Sequence, residues 1–103
     1  MFVIKKGDTA PAIQGILTTK ANLEGASAIF IMQNLDNELV IFDTANITSV
    51  EEKTIVYQWA EGETDIAGKY QAEFRITYAD GRVETFPNVG FITIYIEENI
   101  EED

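Results

Sequence analysis

Between Gly68 and Pro87 the chain alternates polar and apolar residues with a period of two, and the alternation breaks once, at Asp80-Gly81. Tyr70, Ala72, Phe74, Ile76 and Tyr78 fall on one side of such a strand, and Lys69, Gln71, Glu73, Arg75 and Thr77 on the other. A β-strand with one wet face distributes side chains this way. Asp-Gly between two such runs predicts a hairpin with a two-residue turn, in which Asp80 and Gly81 supply the positive φ angles. Nothing in this hairpin is chemically reactive. It is framework.

The same texture recurs along the whole chain, at roughly the ten-residue spacing of sandwiches and barrels. Strands are expected at 2–5, 12–17, 26–33, 39–42, 54–59, 69–78, 82–86 and 91–96, with breaks at 6–8, 20–25, 36–37, 43–52, 61–68, 80–81 and 87–90. No stretch carries the period of an amphipathic helix. Ala28, Phe30 and Met32 share one face of their strand with Ile29 and Ile31 opposite, which suits a central strand. Ile55, Tyr57 and Trp59 are the expected core face of the next. In 91–96 the isoleucines are assigned to the core, which leaves Phe91 and Tyr95 as candidate partner contacts on an exposed aromatic face.

At 103 residues the chain makes one domain, able to bury roughly 60–65% of its unfolded surface with little left for a deep cleft. It has neither Cys nor His. Disulfides and thiolate chemistry are thereby excluded, and so are the commonest general base near neutrality and the commonest transition-metal ligand. The lack of Cys also leans towards a reducing compartment. A net charge of −11 argues against nucleic acid and against an anionic membrane. The N-terminus lacks the order of a signal peptide and no apolar run reaches the length of a span, so a soluble, unsecreted chain is expected. Five carboxylates crowd the last seven positions. The domain is therefore drawn over 1–97, with a solvated acidic tail over 98–103.

Other constellations carry less. The acidic loop 61–65 and the pair Asp36, Glu38 offer oxygen ligands suited to Ca²⁺ but lack an EF-hand spacing, so solvated loops are expected and no metal or cofactor is assigned. Thr9, Thr18, Thr19 and Ser27 have no base partner that sequence identifies, and eighteen acidic residues without a cleft do not make a glycosidase. No catalytic residue is assigned, and an enzyme is not expected. Trp59, Tyr57 and Tyr95 are the residues from which a carbohydrate-binding module for cell-wall glycan would build a stacking platform, although core packing is the default for Trp59.

Gly68-Lys69-Tyr70, with Asp65 upstream, resembles the tyrosine corner that opens strand F of immunoglobulin-type sandwiches, where the hydroxyl bonds back to upstream backbone. The fold expected is thus an all-β, immunoglobulin-like antiparallel sandwich of seven to eight strands without a disulfide. Longer phrases resemble one family within that class. They are Ile4-Lys5-Lys6-Gly7-Asp8-Thr9-Ala10-Pro11, Asn22-Leu23-Glu24-Gly25-Ala26, Val56-Tyr57-Gln58-Trp59, the stretch from Glu63 to Phe74, and Asp80-Gly81 through Asn88. In their order and spacing they resemble the N-terminal immunoglobulin-like domain of phage baseplate upper proteins. The resemblance implies a non-enzymatic attachment module of a virion tail, assembled in the host cytoplasm. Its implied partners are other tail and baseplate proteins, with at most weak self-association.

Overall fold

The computed structural model describes residues 1–100, and every regular element in them is a strand. In chain order these are β1 (Phe2–Lys5), β2 (Ile13–Ile16), β3 (Ser27–Asn34), β4 (Leu39–Ser49), β5 (Thr54–Tyr57), β6 (Gly68–Thr77), β7 (Val83–Phe86) and β8 (Ile92–Glu97). The large sheet runs β1-β8-β6-β3-β4, with β7 beside the second half of β6, where β8 has ended. The small sheet is formed by β4, β5 and β2. All pairs are antiparallel except β1 with β8. This is an immunoglobulin-like β-sandwich, with β6 at its centre between β3 and the β7/β8 pair.

β4 belongs to both sheets. Leu39 to Ala45 pair with β3, and Asn46, Ile47 and Ser49 pair with β5. The expected break over 43–52 is therefore wrong in its first seven residues. The alternation that marks a half-buried strand fails there because β4 is an edge for part of its length and changes sheets on the way, so Asp43, Thr44 and Asn46 all lie exposed.

The hairpin between β6 and β7 also differs from expectation. Tyr78 N–H donates to Arg82 O at 2.8 Å and Gly81 N–H to Tyr78 O at 2.9 Å, so the loop has three residues, Ala79, Asp80 and Gly81. Among them only Gly81 has a positive φ, of 90°. A three-residue loop of this kind needs just one left-handed position. Asp80 contributes through its carboxylate instead, which accepts from Arg82 N–H at 3.0 Å and from Arg82 Nε at 2.8 Å.

The inward faces of the two sheets meet around an aromatic cluster. Phe30 stacks on Tyr57 with ring centroids 4.5 Å apart and meets Trp59 edge-on at 5.6 Å, while Phe74 lies tilted to it at 5.3 Å. Phe30, Tyr57, Trp59 and Phe74 are all buried, as are Ile55, Ile76, Ile94 and Ile96. Paired rings on the two sheets contribute beyond their buried area, and here they take the place of the covalent link that this chain cannot form.

Tyr70 is buried, and its hydroxyl donates to the carbonyl of Ile66, four residues upstream, at 2.6 Å. Gly68 precedes it with a φ of 149°. Asp65 takes no part in the corner: it is exposed and makes none of the hydrogen bonds among the described residues. Tyr70→Phe is expected to lower stability by about 0.5–1.5 kcal/mol with the fold intact, measured as a shift in denaturation midpoint at unchanged slope. An unshifted midpoint removes the hydroxyl from the account.

Of the expected tail, residues 101–103 lie outside the described residues. Glu98 and Asn99 are solvent-exposed and touch the start of the chain. The Asn99 amide donates to Lys6 O at 2.7 Å, and Glu98 lies 3.8 Å from Lys6 Nζ.

Candidate functional site

Cross-strand register decides what the outer face of the large sheet presents, because residues directly opposite share a face. One row runs Phe42, Ile31 and Glu73 across β4, β3 and β6, and Phe91 lies beside Glu73, Gln71 and Ile31 over a shallow dimple of about 40 Å³. A second row runs Val3, Tyr95 and Lys69 across β1, β8 and β6, with the Lys69 ammonium 6.0 Å from the Tyr95 ring centre. Phe42 is 54% exposed, Phe91 51% and Tyr95 40%. The charges on this face are few and mixed. Lys5, Lys69 and Arg75 stand against Glu73 and Glu97, with Lys5–Glu97 at 3.4 Å and Arg75–Glu73 at 3.9 Å. The acidic excess of the domain therefore lies on its other surfaces.

The two aromatic contacts expected from sequence, Phe91 and Tyr95, thus sit on one face. Phe42 and Ile31 join them there. Alternation did not single out Phe42, because it stands where β4 leaves regular patterning, and register alone brings it level with Ile31.

The carbohydrate platform is not assembled. Trp59 and Tyr57 are each 2% exposed, and both point into the core. The Trp59 indole N–H donates to Pro11 O at 3.2 Å, and the Tyr57 hydroxyl donates to both oxygens of Glu63, at 2.8 and 2.9 Å. Burial, reinforced by Glu63, pushes the Tyr57 hydroxyl far above the ordinary phenol range. Only Tyr95 of the three reaches solvent, so the glycan reading is corrected: a sugar ring needs exposed faces to stack on, and these are used by the core.

The acidic loop is similarly committed. Glu63 also accepts from Ala60 N–H, and Thr64 is buried with its hydroxyl on Asp8 O at 2.7 Å. Among the described residues no three of His, Cys, Asp or Glu gather as ligands.

Thr19 does meet a carboxylate, which sequence did not identify. Its hydroxyl lies 3.2 Å from the Tyr78 hydroxyl and 3.4 Å from Glu84 Oε1, and Tyr78 donates to that same oxygen at 2.6 Å. The Tyr78 hydrogen bond holds the Glu84 carboxyl below its ordinary value, which makes it a poorer base. Thr19 also accepts from Ala21 N–H. The trio ties the segment after β2 to the β6–β7 hairpin.

No protein-family model and no curated protein matches the chain. Among solved structures, the chain is similar to CopC from Methylosinus trichosporium OB3b, with a TM-score of 0.62 at 11% identity over 99% of this chain and 88% of that one. At that identity the likeness concerns the fold. The assignment to a phage tail baseplate is corrected accordingly: no family model or curated protein supports it, and the architecture that suggested it is shared with CopC. The phrases behind the assignment are turn and core residues. Gly68-Lys69-Tyr70 makes the corner, Asp80-Gly81 belongs to the hairpin loop, and Val56-Tyr57-Gln58-Trp59 ends β5 and sends Tyr57 and Trp59 into the core, and residues that build a sandwich carry no information about what it binds.

Proposed function

We propose that this domain is a non-catalytic protein-binding module whose contact surface is the outer face of the large sheet. The observation that carries the reading is the grouping of Phe42, Ile31, Phe91 and Tyr95 on one nearly neutral face of a chain with net charge −11. Interface cores favour aromatic residues, and the charges on this face are few and balanced, with Lys5 and Arg75 paired to Glu97 and Glu73. The partner is a different protein with a neutral docking patch in basic surroundings, because two copies of an anionic chain repel and a basic one is attracted. The absence of His and Cys from the sequence, together with the structural employment of Thr19, Tyr78 and Glu84, supports the non-catalytic part of the reading.

Phe42→Ser combined with Phe91→Ser is expected to leave the melting temperature nearly unchanged, since both side chains are exposed. Affinity for a partner should fall by at least about 2 kcal/mol, near thirtyfold. The measurement is capture on wild-type chain, on the double variant and on a Val50→Ser control, followed by titration of the identified protein at two salt concentrations. A partner held equally by all three chains refutes this face as the contact.

A further inference from the structure

The small sheet ends at β2, whose only neighbour among the described residues is β5. Leu17 N–H donates to Lys53 O at 2.9 Å, continuing the ladder in which Gly15 faces Ile55 and Ile13 faces Tyr57. In an antiparallel ladder the hydrogen-bonding direction alternates, so the backbone groups of Gln14 and Ile16 point away from β5. Among the described residues nothing hydrogen-bonds to them there. Native edge strands are usually shielded by a charge, a proline or a bulge. β2 is short, at four residues, but reads Ile-Gln-Gly-Ile and has none of these.

Beside that edge lies a groove of about 420 Å³ between the two sheets, lined by Phe2, Ile13, Gly15, Phe74, Phe86 and Ile92 among others. None of the side chains lining it is charged, in a chain where 24% of residues are. Gly15 is the informative residue. Its φ is not left-handed, and a Cβ added to it would meet Ile55 Cγ2 and Phe74 Cε2 at 3.5 Å and Phe74 Cδ2 at 3.8 Å, which is ordinary contact. Neither backbone conformation nor the room for a Cβ requires glycine at this inward position. A glycine inside a strand often marks the approach of another backbone or ligand, and here the missing side chain leaves the edge of the Phe74 ring facing the groove.

We infer that β2 is an acceptor edge for an extended segment of a partner protein, which pairs with the free groups of Gln14 and Ile16 and sends alternate apolar side chains into the groove. This goes beyond the face proposed above and does not depend on it. A free lipid or small apolar ligand would fill the groove without using the edge; a strand uses both. A second copy is the poorer occupant. The inward side chains of its own β2 already point into its own sandwich, and the approach would bring together two chains of net charge −11. The same charge selects a segment whose uncharged apolar residues are flanked by Lys or Arg.

The test is a titration of the ¹⁵N-labelled chain with the synthetic peptide acetyl-Lys-Thr-Val-Thr-Val-Thr-Lys-amide, against the same peptide with proline in place of the central threonine. The expected result is saturable shifts at the amides of Gln14 and Ile16 with slowed exchange there, and none with the proline peptide. Gly15→Val, which fills the groove, is expected to weaken binding about tenfold or more. Ile16→Pro, which removes an outward N–H that β5 does not use, should abolish it. Unchanged far-ultraviolet dichroism and melting of both variants distinguish lost binding from lost fold. Absence of saturation at millimolar peptide, shifts at the β1 or β4 edge instead, or wild-type binding by Gly15→Val overturns the inference. So does a dimer of the free chain that Ile16→Pro dissociates.

Discussion

Phe74→Ala is expected to cost about 3–5 kcal/mol and to leave the domain largely unfolded near body temperature. Phe74 sits on the central strand, is buried and packs 5.3 Å from Phe30, so its removal opens a void that neither sheet can close without breaking its own ladder. A domain of this length has only about 5–15 kcal/mol in total, with no disulfide to limit the unfolded chain. Phe74→Leu is the useful companion. It keeps much of the volume and loses the ring, so a smaller loss there separates cavity formation from aromatic contact. Urea denaturation followed by far-ultraviolet dichroism measures both. A Phe74→Ala variant that unfolds at the parent midpoint would place this ring outside the core and overturn the facing of β6.

The strands were legible in the sequence because each buried one has two unlike faces. Tyr70, Ala72, Phe74 and Ile76 alternate with Lys69, Gln71, Glu73 and Arg75, and the structure buries the first set, as the pattern requires. The same holds for Ile94 and Ile96, with Ile92 half-buried, against the exposed Phe91 and Tyr95. Where the physics is not local, the reading failed. β4 takes its conformation from β3 on one half and β5 on the other, so its own residues show no clean period. The length of the 79–81 loop is set by register between β6 and β7, which Asp-Gly does not encode.

The candidate site was legible only in part for the same reason. Phe91 and Tyr95 show up as the wrong-parity aromatics of a strand, a local signal. Phe42 belongs with them only once β3 and β4 are paired, and the meaning of Gly15 depends on Phe74, fifty-nine residues away, standing behind it. Function was the least legible. Turn and core phrases recur wherever the sandwich recurs, so a likeness built from them reports architecture and not partner.

Trp59→Ala is expected to behave as a core substitution, with a loss of about 3–5 kcal/mol. Trp59 is buried just beyond β5, packs edge-on against both Phe30 and Tyr57, and lies 5.9 Å from Phe2 on β1. Removing it therefore loosens β1 from the small sheet as well as opening the centre. It also strips Pro11 O of its indole donor, at a further cost of about 1 kcal/mol if water does not replace it. Trp59→Phe should recover most of the packing but not the hydrogen bond, and so fall between the parent and the alanine variant. A sugar-stacking tryptophan behaves in the opposite way, since an exposed platform residue can be truncated with the midpoint unchanged and the loss confined to glycan affinity. Denaturation of the three proteins by far-ultraviolet dichroism, which does not rely on the only tryptophan as reporter, discriminates the two. A midpoint that is the same in Trp59→Ala and the parent would move this ring to the surface and reopen the platform that the buried geometry now rules out.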